Sequence, residues 1–227
     1  MIPCYNEGQG LHKLYDKCAE LVGCADVEII LVDNGSTDDT ADILATFDSL
    51  DDKIKINTVD ENQGYGFGIL SGLEVSNGDY IGWTHADLQT DPLDYLKVIK
   101  TIEEAPGEPC FVKGERFGRP LADVFFTTGM SIFETLLMGT RMSDINAQPT
   151  VFPSAFYQSW RREAPYDFSL DLFVYYLAKE QGLPVKRVPV YFGAREFGQS
   201  HWNVDLKSKF KFIQRTVSFS LSLRRNI

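Results

Sequence analysis

A nearly continuous apolar run at residues 27–32 (VEIILV) leads directly into the polar segment DNGSTDDT at residues 33–40. Such a run is typical of a strand that is buried on both faces of a parallel sheet. Gly35 allows a tight turn, and Ser36 or Thr37 can cap the helix that follows. The segment therefore predicts one strand–helix unit whose strand ends in a polar edge.

This order of strand and helix repeats along the first half of the chain. Further strands are predicted, with helices between them, at residues 1–4, 54–59, 80–83 and 110–113. The alternation implies a parallel sheet that is covered by helices on both faces. The second half is less regular, with helices predicted at residues 125–138 and 169–179 and a strand at residues 185–192. Pro189 predicts an edge position or a bulge for that last strand.

Three polar side chains follow the strand at residues 80–83 at every second position. They are His85, Asp87 and Gln89, and in an extended segment they would point to the same side. Such ligands suit Mg²⁺ or Mn²⁺, which keep bonds to substrate phosphates. The alternative is an acidic turn that only caps the next helix, with Asp91 as the N-cap and Pro92 in the first turn.

Four polar groups are predicted at or near the carboxyl ends of strands, where ligands bind in open α/β sheets. They are Asp33, His85, Asp87 and Lys113. Because parallel strands end at the same edge of the sheet, we expect these side chains to share one site.

The net charge of -10 argues against a nucleic-acid partner, because such proteins are normally basic. The charge is uneven, since residues 206–227 carry six basic residues and no acid, which leaves -16 for residues 1–205. Apolar residues recur in that tail at helical spacing. We therefore predict an amphipathic helix that lies on anionic lipid. The alternative is a helix packed on its own domain with a solvated basic face.

The four cysteines fit neither a zinc ribbon nor a redox CxxC pair, so we expect free thiols in a reducing cytoplasm. No stretch approaches about 18 uninterrupted apolar residues, so no membrane span is expected. The chain opens without the basic and apolar regions of a signal peptide. The first strand is short, which leaves open that the chain begins inside it.

Several short motifs occur in the order and spacing of the family-2 glycosyltransferases. They are IPCYNE (2–7), VDNGSTD (32–38), NQG (62–64), GDY (78–80) and ADLQ (86–89). Within that family the chain most resembles the dolichol- or polyprenyl-phosphate sugar synthases, whose later motifs are matched by KGER (113–116), AQP (147–149) and REFGQS (195–200). The resemblance covers about residues 1–202. It implies an α/β GT-A fold, with a mostly parallel central sheet and helices on both faces.

The resemblance also implies a division of the chain. Residues 1–205 would form the GT-A domain, with a nucleotide-sugar half at 1–115 and an acceptor half at 116–205, and residues 206–227 would form the basic helix. Nucleotide-sugar binding would fall to Pro3, Tyr5, Glu7, Asp33, Gly64 and His85. Asp33 would accept a hydrogen bond from the base. Its alternative role is to stabilise the next helix, and Gly64 can equally be a packing glycine.

The resemblance assigns a catalytic metal, Mg²⁺ or Mn²⁺, to Asp87, with Gln89 as a further ligand and His85 as a third candidate. The metal would stabilise the leaving nucleoside diphosphate as a Lewis acid. The family pattern has Asp where this chain has His85, and imidazole is a poor ligand for Mg²⁺. His85 can instead bond the ribose or a phosphate, or it can weaken metal binding.

Arg116 and Arg195, helped by Ser200, would hold the phosphate of the acceptor, because arginine offers paired donors. With Asp87, they are the predicted catalytic residues. The alternative for both arginines is a surface salt bridge. A phosphate acceptor is already an anion, so no general base is needed. The nearest candidate bases, Asp167 and Asp171, are expected to cap their helix or face solvent.

The predicted function is an inverting transfer of a sugar from a nucleoside-diphosphate donor to a polyprenyl or dolichyl phosphate. The chain is expected in the cytoplasm, peripheral to the inner face of the membrane. One alternative is a glycosyltransferase with a soluble or sugar-hydroxyl acceptor. Another is a non-catalytic nucleotide-sugar binding protein, with His85 as the disabling change. A dinucleotide-binding oxidoreductase is disfavoured, because no GxGxxG follows the first strand.

Overall fold

In a computed structural model, residues 1–197 and 206–225 are described, and for residues 206–213 only the backbone is described. The chain is an α/β protein, as predicted. Its seven strands are β1 (Ile2–Cys4), β2 (Ile29–Asn34), β3 (Ile54–Val59), β4 (Tyr80–Trp83), β5 (Phe111–Phe117), β6 (Thr150–Pro153) and β7 (Val185–Tyr191). Its eight α-helices are α1 (Leu11–Cys24), α2 (Thr40–Phe47), α3 (Tyr65–Glu74), α4 (Tyr95–Glu103), α5 (Leu121–Met138), α6 (Ser154–Trp160), α7 (Leu170–Glu180) and α8 (Leu206–Arg225).

The strands form two groups. In the first, β2 lies between β1 and β3 and all three are parallel, and in the second the order is β4, β6, β5 and β7. The two groups meet at Met1, whose nitrogen donates to the Gly82 carbonyl (2.8 Å) and whose carbonyl accepts from the Thr84 N–H (3.2 Å). β6 alone runs antiparallel to both of its neighbours. The predicted mostly parallel sheet is therefore confirmed.

The hydrophobic core explains why the middle strands read as apolar runs. All six residues of β2 are buried, because helices cover both of its faces. A second cluster of large aromatic residues lies between the sheet and α7, with Trp83, Phe152 and Trp160 at its centre. β7 lies at the edge of the sheet, which accommodates Pro189 as predicted. The four cysteines are free thiols, as expected.

The helix α5 is the main departure from the expected pattern. It is an 18-residue helix, only 11% of it is buried, and its length and composition would allow it to cross a membrane. No other helix in the described part of the chain meets that test. We expected no segment that could span a membrane, and α5 was overlooked because threonines and a glycine interrupt its apolar residues. α8 packs beside it, and the Ser220 hydroxyl donates to Glu134 Oε1 (2.7 Å).

The carboxylate of Glu134 is fully buried between α5 and α8, and its Oε2 atom has no hydrogen-bond partner among the described residues. Burial raises the pKa of Glu134 above its ordinary value of 4.5, although the bond from Ser220 opposes the shift. The folded state therefore binds the proton more tightly than the unfolded state. Stability from this group is complete below pH 4.5 and is lost as the pH rises through the folded-state pKa.

We predict that Glu134→Gln stabilises the protein at pH 7.5 and that the gain shrinks as the pH falls toward 4.5. A neutral amide avoids the cost of a buried charge, so we expect about 1–2 kcal/mol at the higher pH. Urea unfolding at several pH values measures this, with the exposed Glu163→Gln as the control. A difference from the wild type that does not change with pH would contradict the prediction.

Candidate functional site

The carboxyl ends of β1 and β2 meet at the expected edge of the sheet. Cys4 pairs with Asp33, so the loops that follow the two strands run side by side. Asn6 ties them together, because its backbone N–H donates to Ser36 Oγ (3.2 Å) and its Oδ1 accepts from the Thr37 N–H (2.8 Å). Asn6 has a φ of 56°, a conformation that asparagine tolerates. Ser36 therefore braces two loops and does not cap α2, which begins at Thr40.

Asp33 is buried, with 4% of its surface exposed. Its Oδ1 atom accepts from the Ser36 N–H (3.0 Å), so the side chain stabilises the turn that leads to α2. Pro3 is half-buried in β1, and the Tyr5 side chain is exposed beside this turn. The roles of Pro3, Tyr5 and Asp33 in nucleotide binding stay predictions.

Gly64 lies where the chain requires glycine. Its φ is 118°, and a Cβ atom there would lie 2.3 Å from the Tyr166 carbonyl oxygen. Its own carbonyl accepts from Asn34 Nδ2 (3.1 Å). Gly64 thus fixes the packing of the 165–167 segment on α3, and its contact with a nucleotide sugar stays a prediction.

The tip of β4 differs from the extended segment that was expected. β4 ends at Trp83, residues 86–90 are bends, and Leu88 has a left-handed φ of 55°. The alternation that would place three side chains on one side is therefore broken. Gln89 Nε2 donates to the Gly193 carbonyl (3.1 Å), and the Gln89 backbone N–H donates to Asp87 Oδ1 (3.2 Å). Asp91 caps the following turn through its Oδ1 atom, as predicted.

Arg195 binds directly to the β4 tip. Its Nη2 atom lies 2.9 Å from Asp87 Oδ2 and 3.5 Å from Glu7 Oε1. The contact forms because the segment that follows β7 crosses the tip. Gly193 anchors this crossing by donating its N–H to the Gln89 carbonyl (2.9 Å).

The protonation of Glu7 is strongly perturbed. Burial raises the pKa of Glu7 to about 7, Arg195 opposes the shift, and the neighbouring Asp87 and Asp38 add to it. The cluster therefore gathers carboxylates around one guanidinium.

Arg116 is connected to this cluster through a short piece of chain. Its guanidinium carbon lies 5.1 Å from the centre of the Phe192 ring, and the Phe192 N–H donates to the Phe117 carbonyl. Phe192 and Arg195 are three residues apart, so their Cα atoms are at most about 11 Å apart. β4 and β5 both pair with β6 at Thr150, opposite Trp83 and Lys113, so Asp87, after β4, and Arg116, near the end of β5, lie toward the same edge of the sheet.

Asp144 holds Arg116 in a fork. Its Oδ2 atom accepts from the Arg116 backbone N–H (2.8 Å) and its Oδ1 atom from Nε (2.9 Å) and Nη2. Arg119 approaches the same Oδ1 atom at 3.6 Å. Burial would raise the pKa of Asp144, but the hydrogen bonds and charge of Arg116 outweigh it and lower the pKa. Two arginines thus share one carboxylate and leave one net positive charge. The sequence reasoning missed Arg119 and Asp144.

A buried polar network lies next to the β4 tip. Asp171 accepts from Gln148 Nε2 (2.7 Å) and from the Tyr65 hydroxyl (3.3 Å), and it lies 3.7 Å from Lys113 Nζ. Burial lowers the pKa of Lys113 to about 8, although Asp171 opposes the shift. The Tyr65 ring lies 5.8 Å from the His85 ring. Asp171 was expected to cap a helix or face solvent, and it does neither.

The neighbouring carboxylate, Asp167, does behave as expected. Its Oδ1 atom accepts from the Ser169 N–H (2.8 Å) just before α7, and its Oδ2 atom lies 3.4 Å from Arg215 Nε of α8. Neither Asp167 nor Asp171 is therefore arranged as a free general base. Ser200 lies outside the described residues.

The β4 tip offers few metal ligands. Within residues 1–197 and 206–225, no three His, Cys, Asp or Glu side chains gather as a metal site. Asp87 offers a carboxylate at the tip, with His85 two residues away and Glu7 paired to the same guanidinium. Asp87 and His85 together suit a cation that takes its remaining ligands from a bound diphosphate. A cavity of about 470 Å³ lies between β2, β4 and α4, at the opposite ends of the strands, and does not contain these residues.

The model of Glycosyl transferase family 2 matches residues 1–164. The chain belongs to this family, and the family resemblance of the motifs is confirmed. Its predicted GT-A fold is confirmed as well. The solved glucosyl-3-phosphoglycerate synthase of Mycobacterium tuberculosis, in complex with phosphoglyceric acid, superposes with a TM-score of 0.73 at 16% identity, over 98% of this chain and 78% of that one. In complex with Mg²⁺ and UDP the TM-score is 0.71, at 16% identity, over 100% and 78%.

Two curated relatives show the sequence likeness. An undecaprenyl-phosphate 4-deoxy-4-formamido-L-arabinose transferase of Photorhabdus laumondii is 27% identical over 215 residues, which are 89% of this chain and 62% of that protein. The glycosyltransferase YkcC of Bacillus subtilis, described as uncharacterized, is 28% identical over 148 residues, 64% of this chain and 44% of that protein. The chain therefore spans less than two thirds of the length of these relatives.

We predict that Asp171→Asn destabilises the protein by about 3–5 kcal/mol, because it leaves the charge of Lys113 buried without a counter-ion, with the Thr150 hydroxyl as its remaining acceptor. Adding Lys113→Met should recover at least half of that loss. Urea unfolding of the single and double variants measures this coupling. The surface pair Glu28 and Lys55 is the control, and its loss should cost less than about 1 kcal/mol. Additive losses for Asp171 and Lys113 would contradict the prediction.

Proposed function

We propose that this chain is an inverting glycosyltransferase that moves a sugar from a nucleoside-diphosphate donor to a lipid-linked phosphate. The observation that carries the proposal is the contact of Arg195 with Asp87 and Glu7, in the same region as the Arg116–Asp144–Arg119 cluster. A carboxylate that binds a cation and a cluster of arginines are the two parts needed to join a diphosphate to an anionic nucleophile.

The donor would lie over the carboxyl ends of β1, β2 and β4. Tyr5, Asp33 and Gly64 would hold the nucleoside, and the exposed Tyr5 ring can stack on a base. Asp87 would hold Mg²⁺ or Mn²⁺, which supplies Lewis-acid stabilisation of the leaving diphosphate when bound. Pro3, Gln89 and His85 would complete the wall of this pocket.

Arg195 would have two kinds of partner in the donor site. Its guanidinium forms ion pairs with Asp87 and Glu7. A divalent cation at Asp87 would compete with it, and the guanidinium could then bind a phosphate with paired donors. Arg195 would thus move from the carboxylates to the substrate.

The acceptor would be an anion that binds at Arg116 and Arg119. These two arginines share the single carboxylate of Asp144, so one positive charge is left for a phosphate. A phosphate monoester needs no base to become a nucleophile, which fits the occupied oxygens of Asp171 and Asp167. The relative from Photorhabdus is named as an undecaprenyl-phosphate transferase, which supports a lipid-linked acceptor.

A soluble phosphate acceptor is the second candidate. Solved structures with the same fold include a glucosyl-3-phosphoglycerate synthase in complex with phosphoglyceric acid, which is an anion. Both candidates use the same arginines. The two candidate acceptors differ in length and in apolar character. A transfer assay that offers a short polyprenyl phosphate, 3-phosphoglycerate and a sugar alcohol distinguishes a lipid-linked phosphate, a soluble phosphate and a hydroxyl acceptor.

We predict that Mn²⁺ increases the thermal shift produced by one nucleoside diphosphate among UDP, GDP, CDP and dTDP. Asp87→Asn should remove the effect of Mn²⁺ and leave the metal-free shift, because it removes the carboxylate and preserves the fold. The exposed Asp52→Asn is the matched control and should behave like the wild type. Isothermal titration of the selected nucleotide with and without Mn²⁺ provides the affinities. Equal affinities in the two titrations would end the metal proposal.

We predict that Arg116→Gln lowers kcat/KM for the phosphate acceptor by about 10- to 100-fold, the value of a lost charge-assisted bond. Nucleotide binding should stay unchanged. Arg161→Gln removes an arginine that is paired with Glu74 on the surface and is the matched control. A loss of nucleotide affinity equal to the loss of acceptor turnover would refute the assignment. Retention of the donor's anomeric configuration in the product would refute inversion.

A further inference from the structure

One face of α5 is largely exposed in the part of the chain that the structure describes. It carries large apolar side chains that recur at helical spacing, and we call it the α5 stripe: Leu121, Val124, Phe125, Ile132 and Leu136. Leu121, Phe125 and Leu136 are 86%, 82% and 79% exposed. Isolated exposed apolar residues are normal, but a continuous row on one helix face marks an interaction surface. We propose that the α5 stripe docks the protein on an anionic lipid bilayer, with α5 lying flat in the interface.

The opposite face of α5 explains why the helix lies on the membrane and does not cross it. Glu134 and Met138 are buried against the rest of the domain. The Thr135 hydroxyl accepts from the Met142 N–H (2.9 Å) and donates to the Met142 carbonyl (3.1 Å). With Glu134 and Met138 held by the protein, the helix can turn the face that carries the stripe toward lipid. Its 18 residues give a contact about 27 Å long.

The charges around the stripe favour lipid over other occupants. α5 itself carries two charged residues, of which Glu134 is buried and Asp123 lies roughly 200° around the helix from Leu121. α8 packs beside α5 and contains no acid, and its Arg224 and Arg225 are exposed, as is Arg141 just after α5. An apolar stripe beside a basic helix matches the acyl chains and anionic headgroups of a bilayer.

A second copy of the chain fits the stripe less well. A twofold contact over the same face would bring the basic borders of both copies together. Their repulsion has no described acid on α8 to offset it. In the described part of α8, Phe219 packs against the core and Leu223 is buried in it. α8 thus supplies the charge and α5 the apolar surface.

The location of the stripe relative to the site gives it a role, which rests on the proposed function. Leu121 follows Arg116 by five residues, and Arg119 Nη1 donates to Thr127 Oγ1 of α5 (3.0 Å). Phe117 and Tyr191, which are 53% and 60% exposed, extend the apolar surface beside the arginines. A bilayer under the α5 stripe would therefore hold a lipid-linked phosphate near Arg116 and Arg119.

The test is co-sedimentation of the full chain with vesicles of phosphatidylcholine alone or with about one third phosphatidylglycerol. The wild type should pellet with the anionic vesicles. Phe125→Ser with Leu136→Ser should lower the partition coefficient by at least about tenfold, because two apolar groups no longer leave water. Leu50→Ser with Val75→Ser, which alters exposed apolar residues elsewhere, should bind as the wild type does.

A second variant separates charge from insertion. Arg224→Gln with Arg225→Gln should weaken binding to the anionic vesicles by about tenfold or more and should not change binding to neutral ones. Circular dichroism and thermal unfolding check that each variant folds, which we expect because all the altered side chains are exposed.

Three outcomes would overturn the proposal. The first is a wild type that does not pellet with anionic vesicles, and the second is pelleting that Phe125→Ser with Leu136→Ser does not reduce. The third is a wild-type dimer, seen by sedimentation velocity, that this double variant dissociates in the absence of vesicle binding. Failure of the proposed function is distinguishable, because it would appear as absent transfer to a water-soluble short polyprenyl phosphate while vesicle binding is intact.

Discussion

The contact between Arg195 and the carboxylates of Asp87 and Glu7 connects the two halves of the molecule. Asp87 lies at the tip of β4 and Glu7 follows β1, whereas Arg195 comes after β7, more than 100 residues later. The three side chains are partly buried, with 11%, 15% and 23% of their surfaces exposed, so the attraction between them is screened less than in a surface pair. Without the guanidinium, neighbouring carboxylates would repel each other at the carboxyl edge of the sheet. The path of the segment after β7, and with it the closeness of Arg116 to the β4 tip, depends on this contact.

The fold follows from local patterns where those patterns are long. β2 and β3 lie close to the positions that the apolar runs predict, because a strand covered on both faces must be apolar along its whole length. β5 is longer than predicted. It continues through Glu115 and Arg116, which are polar and therefore do not extend the apolar pattern from which the strand was predicted. β6 and α6 were not predicted. β6 has four residues and lies between two antiparallel neighbours, and a segment that short carries too little periodicity to be recognised.

The sequence predicted which residues follow the strand ends, but not the contacts that their side chains make. The register of β1 and β2 brings Cys4 and Asp33 together, which the ends of parallel strands imply. The prediction that His85, Asp87 and Gln89 point to the same side was wrong, because Leu88 adopts a left-handed conformation. Leucine rarely adopts that conformation, so the sequence does not predict it. The pairs of Arg116 with Asp144 and of Lys113 with Asp171 join residues 28 and 58 positions apart, and no pattern in the sequence links them. Each pair sets how much positive charge is left for a ligand.

The uneven charge along the chain would orient the protein on an anionic bilayer. Residues 206–227 carry +6 and the rest of the chain carries -16. An anionic bilayer would repel the larger part and attract α8, so the molecule would approach with α5 and α8 toward the lipid. The arginines at the start of α5 would then lie at the depth of the headgroups, where a lipid-linked phosphate is held. The donor pocket at β1 and β2 would remain on the aqueous side, where a charged nucleotide sugar is dissolved. One orientation would thus present each substrate from the phase in which it is found, with the Arg195 segment between them.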